Sequence, residues 1–241
     1  MKIQPVLIPV KGEKLSGLLY IPTHTVGDKL PSVVIFHGRG SSKKRYFDRA
    51  QALAENGFLV LVFDFRGCGE SDGNFGKQTI AMGFEDAVAS YNFLKKYPLC
   101  DTNRLGVLGG SFGGYQAALL AGKYPIKSLI LAAPAIYQDE WWKIIPETMD
   151  PIKNGLYRQP SGFENTKAFK AIQKYPGKIL IIEHEKDEVI PRHVTESYYQ
   201  NAFKAGLKEK KVILDAPHAL HDQKYLTKSA QLVVDWFKKT L

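Results

Sequence analysis

The sequence predicts an α/β fold, with one mostly parallel β-sheet covered by helices on both faces. Short apolar runs rich in Val, Ile and Leu alternate with longer amphipathic stretches along most of the chain. Strands that are buried on both faces need such continuous apolar runs, and the amphipathic stretches supply the helices that cover them. A glycine-rich segment, residues 109–114, also joins one apolar run to a helix-like run.

Each element can be assigned in chain order. Residues 2–10 and 15–21 flank a turn-like Lys-Gly-Glu-Lys group and predict an N-terminal antiparallel hairpin. The apolar runs that follow predict strands over residues 32–36, 58–63, 104–108, 128–132, 178–183 and 211–214. The amphipathic stretches predict helices over residues 46–55, 83–96, 112–123, 192–205 and 223–239. Ligands of such sheets bind beyond the carboxyl ends of the strands, so the loops there are the expected place for a functional site.

The segment Gly-Gly-Ser-Phe-Gly-Gly predicts a nucleophile elbow with Ser111 at its tip. In the G-x-S-x-G pattern, a strand turns so sharply into a helix that the serine adopts a strained backbone conformation. Gly109 and Gly113 leave room on the crowded side of that turn. Ser111 is therefore the candidate catalytic nucleophile.

An earlier loop could stabilise the negative charge that an attacked carbonyl develops. The strand over residues 32–36 runs into His37-Gly38-Arg39-Gly40, which is similar to an H-G-x-G oxyanion loop. The backbone N–H of Arg39 and that of Phe112, the residue after the nucleophile, would form the oxyanion hole. We assign His37 to the substrate pocket beside them.

Asp187 is the candidate catalytic acid. It follows the strand over residues 178–183, and its loop ends at Pro191, which suits a rigid support for an imidazole. The neighbouring carboxylates are interpreted as solvated charges. These are Glu183, Glu185 and Glu188.

Two histidines compete for the role of general base. His218 stands closer to the end of the strand over residues 211–214, whereas His221 lies beside Asp222, a residue type that favours the cap of the last helix. These positions favour His218, and His221 stays the alternative.

The order Ser111, Asp187, His218 is that of the α/β-hydrolases. Residues 64–71, Asp-Phe-Arg-Gly-Cys-Gly-Glu-Ser, resemble the D-x-R-G-x-G-x-S turn of many members of that family. The chain thus resembles an α/β-hydrolase over nearly its whole length, which implies a central sheet of about eight strands. Within residues 64–71, Asp64 and Arg66 are expected to brace loops rather than to perform chemistry.

The resemblance extends to two branches of the family. The segment Gly-Ser-Phe-Gly-Gly-Tyr, residues 110–115, is similar to the elbow of prolyl-oligopeptidase-like and acyl-aminoacyl peptidases, and also to that of small feruloyl and cinnamoyl esterases. The His218 loop and the last helix look most like those of the esterases. Those peptidases generally carry a β-propeller ahead of the hydrolase domain, whereas only residues 1–31 precede the oxyanion strand here. That length disfavours a gated oligopeptidase.

A cap insertion is predicted at about residues 135–177, where aromatic residues and prolines replace one short crossover helix. Aromatic side chains there could line an acyl or aryl pocket, and we assign Tyr137, Trp141 and Trp142 to it. The alternative is that Trp141 and Trp142 pack the cap onto the body. Residues such as Met149, Tyr157, Phe163 and Phe169 belong to the same insertion.

Composition limits the class of protein further. The chain has 241 residues, of which 44% are hydrophobic, so we expect one domain over residues 1–241. The net charge is +9, but the lysines are scattered and no recognition motif accompanies them, so no nucleic-acid partner is expected. Cys68 and Cys100 lack metal-ligand spacing and are expected to be ordinary thiols, with no metal and no cofactor.

No apolar stretch approaches the length of a membrane span, and no secretory h-region begins the chain, so we expect a cytoplasmic protein without a membrane partner. The oligomeric state is left open. Three functions compete on the sequence. The first is a serine hydrolase of carboxylic esters, and the same residues would also suit thioesters. The second is a small aminopeptidase or amidase. The third is a non-catalytic binding protein of the same fold, which the complete triad disfavours.

Overall fold

The computed structural model describes residues 1–23, 29–148, 163 and 165–241. Within these residues, eight strands form one sheet with the order β1-β2-β4-β3-β5-β6-β7-β8. The strands are β1 (Lys2–Val10), β2 (Glu13–Ile21), β3 (Leu30–Phe36), β4 (Leu59–Phe63), β5 (Cys100–Gly110), β6 (Ser128–Ala132), β7 (Lys178–His184) and β8 (Leu207–Ile213).

The sheet is parallel apart from its first two strands. The hairpin of β1 and β2 pairs Val10 with Glu13 next to the turn, and β2 runs antiparallel to β4 as well. From β4 to β8 every neighbouring pair is parallel. The carboxyl ends of these strands therefore lie along one edge of the sheet, which is where the candidate loops were predicted.

Six α-helices are present in the described part of the chain. They are α1 (Phe47–Glu55), α2 (Ile80–Lys96), α3 (Phe112–Ala121), α4 (Lys167–Lys174), α5 (Arg192–Asn201) and α6 (Gln223–Thr240). None of these helices combines the length and the apolarity that crossing a bilayer requires.

The helices divide between the two faces of the sheet. Buried side chains of α1 and α6, such as Leu53 and Trp236, pack against one face. Buried side chains of α2, α3, α4 and α5, such as Tyr91, Leu120 and Phe169, pack against the other. Two apolar cores thus hold the sheet between them, as the continuous apolar strands predicted.

The start of β8 was predicted four residues too late. The sequence placed this strand at residues 211–214, whereas it spans Leu207–Ile213 and begins in the charged stretch Leu-Lys-Glu-Lys-Lys. β8 is the edge strand beside β7, and its side chains are half-buried or exposed over most of its length. An edge strand tolerates charged residues, so the apolar run marked only its end.

The predicted cap contains two short 3₁₀ turns, Asp139–Lys143 and Pro146–Thr148, followed by α4. Residues 149–162 and residue 164 lie outside the described residues, and with them Met149 and Tyr157. α2 begins at Ile80, three residues earlier than predicted, because the Thr79 side chain accepts a hydrogen bond from the Met82 N–H and caps it.

Candidate active site

The predicted elbow joins β5 to α3. Ser111 lies between them with φ 51°, a left-handed conformation that a serine adopts only when its surroundings impose it. A Cβ on Gly109 would collide with the backbone of Gly113, and a Cβ on Gly113 would collide with the carbonyl of Phe36. Both glycines are therefore required by the close approach of α3 to β3 and β5.

The structure brings Ser111, His218 and Asp187 together in one chain of hydrogen bonds. The Nε2 atom of His218 lies 3.1 Å from the Ser111 Oγ, and its Nδ1 atom lies 2.8 Å from the Asp187 Oδ2. The other carboxylate oxygen of Asp187 accepts the backbone N–H groups of Val189 and Ile190, at 2.8 and 2.7 Å. These bonds fix the carboxylate and, through it, the orientation of the imidazole.

His221, the alternative candidate for the base, lies outside this chain of hydrogen bonds. The Nδ1 atom of His221 is 3.0 Å from Arg45 Nη1, and because arginine can only donate, this nitrogen is the acceptor. Asp222 does occupy the N-cap position of α6, but its side chain makes no capping hydrogen bond.

One of the three carboxylates near Asp187 is not solvated, in contrast to the interpretation of the sequence. Glu183 was expected to be solvated, yet it is buried and accepts hydrogen bonds from the Thr195 hydroxyl and the Lys210 ammonium, at 2.9 and 3.4 Å. Its place inside the end of β7 explains its burial. Glu188 accepts the backbone N–H of His218 at 3.1 Å, so it helps to hold the loop of that histidine.

Of the two residues predicted to supply oxyanion-hole amides, Phe112 directly follows Ser111, and Arg39 follows Gly38 and lines the same cavity as Ser111. Phe112 is the first residue of α3, where backbone N–H groups have no acceptor within the helix. A Cβ added to Gly38, the residue before Arg39, would lie 3.5 Å from the Ser111 Cβ. The Arg39 guanidinium stacks over the Phe112 ring at 5.4 Å and is bound by Glu147 and Gln78.

A cavity of about 390 Å³ opens beside Ser111 and His218. Tyr137 lines it, as the sequence predicted, whereas His37, Trp141 and Trp142 do not. Its walls combine small and apolar residues with several basic or polar ones. The apolar part includes Leu108, Ala132, Ala133, Ala135, Val189, Ile190 and Leu220, and the basic or polar part includes Arg39, Arg45, Tyr46, Arg49, His184 and Ser229.

The assignment of His37 to the substrate pocket is wrong. Its side chain is 1% exposed, its Nε2 atom accepts the Phe65 N–H at 3.0 Å, and its Nδ1 atom lies 2.7 Å from the Gly38 carbonyl oxygen. Burial lowers the pKa of His37 to about 4. This histidine is a neutral structural link between the oxyanion loop and the end of β4.

The two tryptophans pack the cap onto the body, which was the alternative reading of the sequence. Trp141 is buried and lies edge-on to Phe163, with ring centroids 6.3 Å apart. Trp142 contacts Phe84 of α2 at 5.8 Å, and the Lys167 ammonium lies 5.2 Å from its ring centroid. Trp142 holds this segment against α2, Trp141 belongs to the apolar core on that face of the sheet, and neither lines the cavity.

Asp64 and Arg66 brace the loops around the site, as expected. Asp64 accepts the Lys43 ammonium at 2.6 Å, and both side chains are almost fully buried. Arg66 binds Asp86 at 2.6 Å and Glu85 at 2.7 Å on α2.

Sequence reasoning missed several residues at the site. Arg45, Tyr46 and Arg49 follow the oxyanion loop and line the cavity, but no role at the site was predicted for them from the sequence. The spacing of Arg45 and Arg49, one turn of a helix apart, was the available signal that they share a face.

His184 is a further missed residue. It ends β7, lines the cavity and places its Nδ1 atom 3.2 Å from the carbonyl oxygen of His218. Burial is the main cause that lowers the pKa of His184, and the nearby His218 acts in the same direction. A neutral His184 can donate its Nδ1 proton to that carbonyl. In the described part of the chain, no cluster of His, Cys, Asp and Glu is suited to hold a metal ion.

Solved structures share this fold over nearly the whole chain. Est1E from Butyrivibrio proteoclasticus, solved with ferulic acid, matches with a TM-score of 0.78 and 21% identity over 98% of both chains. The Pyrococcus furiosus esterase Pf2001 matches with a TM-score of 0.75 and 24% identity over 99% of this chain and 93% of its own. A putative dipeptidyl aminopeptidase IV from Bacteroides ovatus matches with a TM-score of 0.74 and 20% identity, over 100% of this chain and 36% of its own.

The sheet order, the strained serine and these matches define an α/β hydrolase. The family described as Serine aminopeptidase, S33 matches residues 28–207, well over half of the chain. The chain belongs to this hydrolase family.

Relatives found by sequence match smaller parts of the chain. A protein encoded between traX and finO in Escherichia coli is 37% identical over 87 residues, which is 36% of this chain and 30% of that protein. A Mycobacterium tuberculosis protein is 27% identical over 185 residues, 77% of this chain and 62% of its own. The quorum-quenching protein AidA of Acinetobacter baumannii is 34% identical over 103 residues, 42% of this chain and 33% of its own. The chain thus spans between about a third and three fifths of these relatives' lengths.

Proposed function

We propose that the protein is a serine hydrolase that cleaves carboxylic esters through an acyl-enzyme intermediate. The observation that carries this proposal is the hydrogen-bonded chain from Ser111 through His218 to Asp187 at the mouth of a cavity. A serine hydroxyl becomes an effective nucleophile only when a base accepts its proton and a third group orients that base.

In the first step, the Ser111 Oγ attacks the ester carbonyl carbon while His218 Nε2 accepts the hydroxyl proton. The backbone N–H groups of Arg39 and Phe112 bind the oxyanion that forms. Asp187 stabilises the imidazolium, which then gives its proton to the leaving alkoxide as the carbon–oxygen bond breaks. The alcohol departs and the acyl group stays on Ser111.

In the second step, water attacks the acyl-enzyme and His218 accepts its proton. The second tetrahedral intermediate collapses, His218 returns the proton to the Ser111 Oγ, and the carboxylic acid leaves. Both steps use the same two amides and the same imidazole, so the catalytic groups need no rearrangement between them.

Two neighbours that match this chain over nearly their whole lengths favour esters over amides as substrates: Est1E, solved with ferulic acid, and the esterase Pf2001. A small aminopeptidase is the second candidate. The description of the matching family and the Bacteroides ovatus structure both point to peptidases.

The test is a panel of p-nitrophenyl esters of increasing acyl length, run beside aminoacyl p-nitroanilides. Removing the nucleophile or the base lowers turnover by many orders of magnitude in enzymes of this kind. We therefore expect Ser111→Ala and His218→Ala to reduce kcat on the best ester by a factor of about 1000 or more.

His221→Ala is the matched control because it removes an imidazole three positions along the same loop and outside the triad. It is expected to retain turnover. Wild-type turnover of anilides and not of esters would replace the esterase by the aminopeptidase. A folded Ser111→Ala protein with normal ester turnover would refute the serine mechanism altogether.

A further inference from the structure

The cavity beside Ser111 is lined by three arginines, Arg39, Arg45 and Arg49, and by no Asp or Glu among the described residues. From this and the contacts below, we propose that the substrate is an ester that carries a second, singly charged anionic group, a carboxylate, bound by Arg45 and Arg49. This inference rests on the proposed esterase function, since it names the class of ester that the same site accepts.

Tyr46 connects the arginines to the nucleophile. Its hydroxyl packs directly against Gly110, the residue before Ser111, so closely that a Cβ at position 110 would collide with it. The Arg49 guanidinium lies 4.8 Å from the centroid of the Tyr46 ring. Burial raises the pKa of Tyr46, and the positive charges of Arg49 and Arg45 oppose that shift. All three residues line the cavity together with Ser111. The anion subsite is thus next to the reacting atoms.

Charge balance distinguishes Arg45 from the other two arginines. Arg39 is paired with Glu147 at 2.5 Å, and Arg49 is paired with Asp48 at 2.7 Å. Arg45 has no carboxylate within 4.0 Å in the part of the chain that the structure describes. One net positive charge therefore remains on this wall, which matches a carboxylate better than a doubly charged phosphate.

Arg45 is held in place although its side chain is exposed. Its Nη1 atom donates to His221 Nδ1 at 3.0 Å, and its Nη2 atom donates to the Leu220 carbonyl oxygen at 3.4 Å. Both acceptors belong to the loop of the proposed base. A solvated arginine would lose this orientation, whereas here the loop holds the guanidinium at the cavity wall.

Arg49 supplies a second group of donors. It is 6% exposed, and its Nε and Nη1 atoms donate to the Ser229 hydroxyl at 3.3 Å and the Arg45 carbonyl at 2.8 Å. Its Nη2 atom makes no hydrogen bond to any described residue and is not among the buried atoms that lack a partner. Guanidinium groups that keep unused N–H donors are suited to a carboxylate, because each can donate a charge-assisted hydrogen bond to one of its oxygens.

The test compares two pairs of esters in which one member carries an additional carboxylate. Mono-p-nitrophenyl glutarate against p-nitrophenyl valerate places the carboxylate on the acyl side, and 4-carboxyphenyl acetate against phenyl acetate places it on the alcohol side. The readout is the ratio of kcat/KM for the charged ester to that for the neutral ester. We expect Arg45→Gln to lower this ratio about tenfold in at least one pair, as loss of a charge-assisted hydrogen bond should.

Lys44→Gln is the matched control. It removes the same charge at the neighbouring residue, whose side chain is exposed and does not line the cavity. We expect it to leave the ratio unchanged. Equal ratios in wild type, Arg45→Gln and Lys44→Gln in both pairs would overturn the inference, even if every ester is hydrolysed.

A binding measurement distinguishes failure of the anion subsite from failure of the proposed esterase function. In the Ser111→Ala background, calorimetry with monomethyl glutarate should show about tenfold weaker affinity when Arg45→Gln is added. Charge-dependent binding without turnover of any ester would refute the esterase and support the anion subsite. Equal affinities with and without Arg45 would refute the subsite.

Discussion

The imidazole of His184 lies 3.2 Å, at its Nδ1 atom, from the carbonyl oxygen of His218. This contact links the end of β7 to the loop that carries the proposed base, in addition to the bond between His218 and Asp187. The loop is thereby held at its backbone as well as at its side chain. Small displacements of a catalytic group can cost large factors in rate, so this bond has a testable consequence.

We expect His184→Ala to lower kcat on a p-nitrophenyl ester about tenfold. The loop loses one neutral hydrogen bond, and the imidazole of His218 is then no longer held at a fixed distance from Ser111. His184→Asn can place an amide N–H near the same carbonyl, and we expect it to recover most of the rate. The measurement is kcat and KM for both variants, with thermal unfolding as the control. A rate loss that follows the melting temperature and is not rescued by asparagine would mean that His184 acts only on stability.

Lys43→Met is expected to destabilise the protein by about 3 to 5 kcal/mol, because Asp64 would be left buried without its cation. Urea unfolding measures this loss. Adding Asp64→Asn should recover part of it, since the uncompensated charge is removed.

Lys44→Met is the control for that prediction, because this neighbouring lysine is exposed. It should change stability by less than about 0.5 kcal/mol. Similar losses in Lys43→Met and Lys44→Met would show that the buried pair has no special importance for stability.

Gly110→Ala should destabilise the protein by about 1 to 3 kcal/mol, since the new methyl group would overlap the Tyr46 hydroxyl. Tyr46→Phe removes that oxygen, so the double variant should recover a large part of the stability, as measured by chemical unfolding. The single variant Tyr46→Phe provides the reference for this cycle. Additive losses in the double variant would contradict the proposed overlap.

We expect the protein to lose stability in acid because His37 is buried in its neutral form. Burial lowers its pKa from 6.5 to about 4, so the unfolded chain binds more protons between these values and stability falls as the pH is lowered through that window. The full effect is about 3 kcal/mol, and His184 contributes in the same direction. We expect the difference in unfolding free energy between wild type and His37→Gln to be larger at pH 7 than at pH 4.5.

His221→Gln serves as the comparison for the acid-dependent loss, because this exposed histidine lies outside the buried network. Because its side chain is exposed, we expect its replacement to cost little stability at either of the two pH values. A His37→Gln protein whose deficit is the same at both would show that this histidine does not titrate with unfolding.

The candidate triad was predictable because its signals are local. The strand-turn-helix segment around Ser111 needs glycines at 109 and 113, and Asp187 and His218 each follow an apolar strand at the expected edge. The parallel sheet was predictable for the same reason, since strands buried on both faces have continuous apolar sequences. The polar start of β5 and the charged start of the edge strand β8 escaped that pattern.

The sequence by itself determined the fold class, the elbow and the order of the candidate catalytic residues, because each depends on neighbours along the chain. Tertiary structure alone decided which polar residues meet across the sheet edge. Glu183 is buried and accepts a hydrogen bond from Lys210, and His37 is buried outside the cavity. Arg45 contacts His221, which is 176 positions away in sequence. Such contacts depend on how loops from different strands pack together, and no local sequence pattern predicts a contact between residues so far apart in the chain.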